Sequence, residues 1–263
     1  MRISAAFVLA GAAVSCFGCG SSSDEVTSDS REGTIVVSES LSGSTAVSYE
    51  ISANWLPPVG TSGCSLTTID ACTVVSCAQT TAAAPITGLD AGPLVFASSS
   101  GSSATLTADG SSEYLSQGMG GFFAPGDMVT VTGQGGPDLP SFAAVSVVAP
   151  AETTLLDPAC VAGTCPTIDR TQDLALSWTS QGPGVLSINL GVTAQSSTAS
   201  CIFDLSASTG SVPAEVLAAF PSRAPLTLTV AAINDQPFTL GGLATAFLAQ
   251  ETIAVGDSLP ASQ

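Results

Sequence analysis

Residues 47–55 read VSYEISANW, and their apolar side chains alternate strictly with polar ones. Successive side chains of an extended strand point to opposite faces, so every apolar side chain of this stretch falls on the same face. A period of two is typical of a half-buried strand. The stretch therefore predicts a β-strand that is wet on one face and carries Trp55 into a core on the other.

The same period recurs through most of the chain after residue 34. It is clearest at 173–178, 186–192 and 226–230, and clusters of glycine and proline separate the short strand-like runs. Short strands at even spacing predict an all-β fold of tandem antiparallel β-sandwich domains, immunoglobulin-like in type. One segment, 212–220 (VPAEVLAAF), predicts a short helix, because Pro213 suits a first turn and Pro221 ends it.

A change of composition near 149–156 (APAETTLL) predicts a domain boundary. We expect a first sandwich at 34–149 and a second at 150–256, followed by a disordered tail at 257–263. Trp178 would occupy in the second sandwich the place that Trp55 occupies in the first. Each of these units has an ordinary size for a sandwich domain.

The charge balance excludes several functions. The 263 residues include 4 Lys and Arg against 21 Asp and Glu, with no histidine, and all four cations are arginines. A chain this acidic repels a phosphate backbone, so nucleic acid is not an expected partner. The absence of histidine and lysine excludes Ser-His-Asp and Cys-His catalysis, histidine-ligated zinc, Schiff bases and the phosphate-loop lysine. Chemistry based on carboxylates, oxygen-ligated metals or cysteines remains.

The first residues have the pattern that predicts an export signal. Met1 and Arg2 precede an apolar run at 3–14 (ISAAFVLAGAAV), which is shorter than the roughly 20 residues that a membrane-spanning helix needs. A run of this length after a positive start is typical of a secretory signal peptide. We therefore expect residues 1–18 to be a signal peptide and residues 19–33 to be a flexible acidic tether.

Small residues, a cysteine and then GSSS resemble the end of a bacterial lipoprotein signal. In such proteins the cysteine becomes the first mature residue and carries acyl chains. Cys19 is the predicted lipidation site and Cys16 is the alternative; cleavage without lipid is a third possibility. Gly20 follows Cys19 where aspartate would favour the inner membrane, so the resemblance implies anchoring to the outer membrane.

The order of motifs along the mature chain resembles that of uncharacterised lipoproteins of myxobacterial type. The resemblance covers most of that chain and implies location and fold but no activity. The Cys160 and Cys165 pair departs from the usual pattern. The segments that carry the resemblance are 126–131 (GDMVTV), 138–142 (DLPSF), 168–179 (IDRTQDLALSWT), 201–203 (CIF), 210–213 (GSVP) and 217–221 (LAAFP).

Six cysteines follow the tether, and an even number in an exported protein favours disulfides over a zinc site. Cys160 and Cys165 enclose four residues with a glycine, which predicts a local bridge. A hairpin centred on 70–71 would place Cys64 opposite Cys77, leaving Cys72 to join Cys201 between the two domains. The alternative is Cys72–Cys77 together with Cys64–Cys201.

Asp109, Ser111 and Glu113 place oxygen atoms at alternate positions, as calcium loops do, but a plain turn is the simpler interpretation. Asp169, Arg170 and Asp173 precede a strand and are expected to form surface pairs. We expect no cofactor and no other metal site.

These features predict a non-enzymatic, lipid-anchored cell-envelope protein with a binding or structural role. Its partners would be the membrane, through the lipid, and an envelope protein or surface ligand that the sequence does not identify. The alternative is an extracytoplasmic hydrolase that uses two carboxylates, with glycans as the candidate substrate. No motif indicates which two of the 21 acidic residues would act.

Overall fold

A computed structural model describes residues 32–56, 64–77, 88–160, 164–180, 182–192, 197–221 and 224–258. The signal peptide, both candidate lipidation sites Cys16 and Cys19, and tether residues 19–31 lie outside the described residues. The chain folds almost entirely into β-strands, as the alternation predicts. The strands are β1 (Glu32–Ser42), β2 (Thr45–Leu56), β3 (Cys64–Ile69), β4 (Cys72–Cys77), β5 (Leu94–Ser98), β6 (Ser103–Leu106), β7 (Tyr114–Met119), β8 (Met128–Gly133), β9 (Phe142–Val148), β10 (Thr154–Asp157), β11 (Thr164–Cys165), β12 (Leu174–Thr179), β13 (Val185–Gly191), β14 (Ser197–Asp204), β15 (Thr209–Val212), β16 (Leu226–Leu240) and β17 (Leu243–Ser258).

Helical structure among the described residues is limited to a 3-10 turn at Leu205–Ala207 and helix α1 at Ala214–Ala218. The helix falls within the segment 212–220 that the sequence predicts. Asp173 accepts a hydrogen bond from the backbone N–H of Ala214 at 2.8 Å, which satisfies one donor at the start of the helix. Val216 and Leu217 are the buried side chains of this short helix.

One ten-stranded sheet forms the base of the molecule, in the order β3-β4-β14-β13-β16-β17-β1-β2-β7, with β11 beside β17. A four-stranded sheet, β6-β5-β8-β9, and a three-stranded sheet, β10-β12-β15, complete the structure. The first core packs the four-stranded sheet against β17, β1, β2 and β7, and it contains Trp55 and Phe96. The second core packs the three-stranded sheet and α1 against β4, β14, β13 and β16, and it contains Trp178.

Both cores lie on the same face of the large sheet. Ala249 of β17 belongs to the first core, and Glu251 points to the same face two residues later. Glu251 is paired with Ala232 of β16, which belongs to the second core, and paired residues of neighbouring strands share a face. The two smaller sheets therefore lie side by side on one continuous sheet, which makes two sandwiches with a common layer.

The two cores do not follow the expected division at residue 149. The hairpin β3–β4 comes early in the chain but pairs with β14, so it completes the second sandwich. The hairpin β16–β17 comes last and contributes Leu240 and Phe247 to the first core. Residues 149–153 do connect the four-stranded sheet to the three-stranded one, so the composition change marks a real connection. Strands from before this connection complete the second sandwich, and strands from after it complete the first. The two sandwiches are therefore interleaved along the sequence.

Three finer expectations need correction. The sheet is not wholly antiparallel, because β1 and β17 pair in parallel, as do β11 and β17. No turn joins β1 to β17, so alternation sets which residues face inward but leaves the strand direction free. The expected tether and tail are also too long, since β1 begins at Glu32 and β17 continues to Ser258.

Candidate functional site

The most unusual chemistry lies where the two cores meet. We define the seam as the part of the large sheet that carries Glu39 and Glu251, together with segments 121–127 and 149–153. These two segments are joined by backbone hydrogen bonds, from Ala149 N–H to the carbonyl of Asp127 at 2.7 Å and from Gly126 N–H to the carbonyl of Pro150 at 3.3 Å. Segment 121–127 is also bound to Glu39. The seam is therefore a closed joint between the two sandwiches.

Strand geometry brings Glu39 and Glu251 together. Both occupy inward positions of alternating strands, where apolar side chains are expected, and each is only 2% exposed. The parallel pairing of β1 and β17 sets Glu39 directly beside Glu251. Neighbouring strands are separated by about 4.8 Å, so the fold holds two carboxyl groups side by side away from water.

The carboxylate of Glu39 is held by the segment above it. Its Oε1 atom accepts a hydrogen bond from the backbone N–H of Phe123 at 2.8 Å and a second one from the N–H of Phe122. Burial raises the pKa of Glu39, and the charge of Asp127 adds to that rise, while the two backbone donors oppose it. The hydrogen bonds favour the ionised form of Glu39 within an environment that disfavours charge.

Glu251 has a different environment. Its Oε2 atom is buried and has no hydrogen-bond partner. Burial raises the pKa of Glu251 to about 7, and the charges of Glu39 and Glu152 contribute to the rise. Close like charges favour retention of one proton by such a pair. The proton is therefore expected on Glu251, whose Oε2 atom has no hydrogen-bond donor to stabilise a negative charge. The charge is expected on Glu39, which accepts from two backbone N–H groups.

Asp127 keeps a fixed negative charge at the edge of the seam. Its carboxylate accepts from the N–H of Ala124 at 2.8 Å and from the hydroxyls of Ser98 and Ser99 at 3.0 and 2.9 Å. These donors, with the backbone of Ala124 foremost and Ser100 also contributing, lower the pKa of Asp127 to about 2. The charge therefore persists at any physiological pH.

A cavity of about 310 Å³ lies beside the seam. Two of its lining residues are close to the seam in the sequence, because Thr153 follows Glu152 and Ile253 lies two residues beyond Glu251. Ile253 is the extra residue of a bulge in β17, between the pairs Val230–Ala254 and Ala231–Thr252. The walls offer hydroxyl groups and apolar atoms but no carboxylate. The lining residues are Gly43, Ser44, Thr153, Thr154, Leu155, Cys160 and Ile253.

The calcium candidates Asp109, Ser111 and Glu113 form a turn. One oxygen of Asp109 accepts hydrogen bonds from the backbone N–H groups of Ser111 and Glu113 and from the Ser111 hydroxyl, at 2.7–3.0 Å. These bonds lower the pKa of Asp109, with the Ser111 hydroxyl foremost. Within the described residues, no group of three or more acidic or cysteine side chains is arranged to hold a metal ion.

The residues before β12 also have structural partners. Asp169 accepts from the backbone N–H and hydroxyl of Thr171, at 2.9 and 2.7 Å, and so closes its own turn. The guanidinium of Arg170 donates to the carbonyl oxygens of Pro221 and Ala224 rather than to a carboxylate. Arg170 therefore does not form the expected surface pair with an aspartate. It binds the backbone of the segment that follows α1 instead.

Two disulfides match the first set of expected pairs. Cys72 is joined to Cys201, and Cys160 to Cys165. The alternative with Cys72–Cys77 and Cys64–Cys201 is therefore wrong. Cys72 and Cys201 lie opposite each other on β4 and β14 within the second core, so their bridge does not span two cores as expected. The backbones of Cys64 and Cys77 are paired across β3 and β4, but their side chains lie outside the described residues.

The sequence did not indicate Glu39 or Glu251. The alternation of each strand did place both residues on its buried face. Ile35 and Val37 precede Glu39 at inward positions, and Phe247 and Ala249 precede Glu251 in the same way. A glutamate that continues an apolar face is a candidate for a buried charge. The partnership between the two residues still depends on the pairing of β1 with β17, which no local pattern reveals.

No protein-family model matches this chain, and no curated protein matches it. Among solved structures, the chain is similar to a segment of two fibronectin type-III domains from chicken tenascin, at 11% identity and a TM-score of 0.22, covering 82% of this chain and 95% of that one. It is also similar to a bacterial ice-binding adhesin described for host cell surface retention, at 13% identity and a TM-score of 0.21, covering 89% of this chain and 66% of that one. Superpositions this loose carry no inference about fold or function. Within the described part of the chain, no helix has the length and apolar character to cross a bilayer.

Proposed function

We propose that this protein is an exported, lipid-anchored component of the bacterial outer membrane with a binding or structural role and no catalytic one. Acyl chains on Cys19 would hold it, and the acidic tether would separate the sandwiches from the membrane surface. The bridges Cys72–Cys201 and Cys160–Cys165 support export, because such bonds persist in oxidising compartments. The signal-like start of the chain supports the same route.

The observation that carries a non-catalytic role is the enclosure of the carboxylate pair. Glu39 and Glu251 form a buried pair of neighbouring carboxyl groups. A carboxylate hydrolase built on this pair would need both groups to reach its substrate. Each is 2% exposed, and the cavity beside them has neutral walls. A substrate bond needs direct access to both an acid and a nucleophile or base. The geometry therefore favours a structural use of the pair.

Edge strand β7 supports a binding role. It ends the hydrogen-bonded order of the large sheet, and it carries no charged residue. Leu115 is 60% exposed and Met119 87% exposed on its outer face. A sheet edge that no strand of the described residues covers, with apolar side chains beside it, suits the addition of an extended partner segment. We propose β7 as the surface that binds another envelope protein.

The lipid anchor is tested by labelling producing cells with radioactive palmitate. We expect label in the wild type and in Cys16→Ala, and none in Cys19→Ala. Label that persists in Cys19→Ala but is lost in Cys16→Ala would move the anchor to Cys16. An unlabelled wild type would remove the lipid from the proposal.

The binding surface is tested with a photo-crosslinking amino acid placed at Met119 in intact cells. Thr198, which is exposed on β14, is the matched control position. A discrete crosslinked species from position 119 and none from position 198 supports a partner at β7, whereas equal results at both positions contradict it. Hydrolysis of glycans by purified wild type that is lost in Glu251→Gln would instead favour the hydrolase.

A further inference from the structure

Among the described residues, no cationic side chain neutralises the buried pair. The chain contains no lysine, no histidine and four arginines. Arg170, the arginine that the structure describes, donates to the carbonyl oxygens of Pro221 and Ala224 and has no hydrogen bond to Glu39 or Glu251. Two carboxylates that are 2% exposed and lie on neighbouring strands must therefore be neutralised by something other than an arginine of the described residues.

Every charged group that acts on the pair from the neighbouring elements is acidic. Asp127 acts on Glu39 from segment 121–127, and Glu152 acts on Glu251 from segment 149–153. On the far side of β17, the residue paired with Glu251 is Ala232, which is neutral. On the far side of β1, the residue paired with Glu39 is Tyr49, whose ring packs against Phe122. The surroundings therefore increase the cost of a second negative charge in the seam.

We propose that Glu39 and Glu251 share one proton and act as a pH-sensitive latch between the two sandwiches. While the pair holds the proton, one negative charge is stabilised by the N–H groups of Phe122 and Phe123, and the seam stays closed. Loss of the proton leaves two adjacent charges in a dry joint. The seam then admits water, and the segment 121–127 loosens while both cores stay intact.

The direction of the effect follows from the raised pKa of Glu251 in the folded state. In the unfolded chain this carboxyl ionises near its ordinary value of 4.5, and in the fold it ionises at about 7. The contribution of this group to the free energy of unfolding is fully present below pH 4.5 and is lost as the pH rises through 7. Each unit of difference corresponds to a factor of ten, so the unfolding equilibrium constant should rise on the order of 100-fold across this window.

The test compares unfolding between pH 5 and pH 8.5 in the wild type and in Glu251→Gln, which keeps the shape but removes the charge. Glu50→Gln is the matched control, because Glu50 lies on β2 and binds Gln117 at the surface of the sheet. We expect stability to fall with rising pH in the wild type and in the control, and to stay nearly level in Glu251→Gln. Glu39→Gln should weaken the pH dependence only in part, since burial of Glu251 remains after the Glu39 charge is removed. Its amide oxygen still accepts from segment 121–127, so this variant serves if Glu251→Gln does not fold.

Hydrogen exchange locates the opening. Above pH 7, after correction for the intrinsic rate, the Phe122 and Phe123 amides of the wild type should lose protection, whereas the amide of Phe96 in the first core should keep it. Equal pH dependence in the wild type and both glutamine variants would overturn the proposal.

Discussion

Replacing both Cys72 and Cys201 by alanine removes the bridge between β4 and β14. The two cysteines are separated by 129 residues, so the bridge greatly restricts the unfolded chain. The loop-entropy relation gives a loss of about 5 kcal/mol for a loop of this length. Cys160 and Cys165 are separated by 5 residues, and the same relation gives about 2 kcal/mol for their replacement.

Urea unfolding of the two double-alanine variants measures this difference. Trp178 fluorescence reports on the second core, which contains the Cys72–Cys201 bridge, and Trp55 reports on the first. We expect the Cys72/Cys201 variant to lose about 3 kcal/mol more than the Cys160/Cys165 variant, with the larger effect seen by Trp178. Equal losses in the two variants, or a larger loss for the short loop, would refute the entropic explanation.

Three further substitutions test particular contacts. Trp178→Phe should cost about 1–3 kcal/mol more than Trp55→Phe in urea unfolding, because the Trp178 indole donates to the buried carbonyl of Leu205 at 2.8 Å and the buried Trp55 indole nitrogen has no partner. Gly33→Ala should destabilise by about 1–3 kcal/mol or more, since a methyl group there would lie 2.1 Å from the Trp55 ring; normal stability would mean that the ring moves freely. Asp127→Asn should remove stability that the wild type keeps above pH 4 and loses as the pH falls towards 2, because its pKa is lowered in the fold; identical acid titrations of the two proteins would contradict this.

Alternation predicted the local structure well. The stretch 47–55 lies within β2, the segment 212–220 contains α1, and Trp55 and Trp178 are both buried as their parity predicts. These features depend on neighbours in the sequence, so a local pattern is sufficient to reveal them.

The partnership of distant strands was not predictable in the same way. The alternation within a strand determines which side chains point inward. The identity of the neighbouring strand depends on the whole fold. β1 and β17 are the first and last strands of the described chain, and their parallel pairing creates the Glu39–Glu251 contact. The candidate site was therefore missed for the same reason as the interleaving of the two sandwiches.

The late position of β16 and β17 has a consequence for biosynthesis. The first sandwich receives Leu240, Leu243 and Phe247 from the hairpin β16–β17, so its core stays incomplete until that hairpin has been made. Folding therefore cannot advance one half at a time from the ribosome. In a nascent chain of this kind, the strands made early remain without their core partners until β16 and β17 arrive.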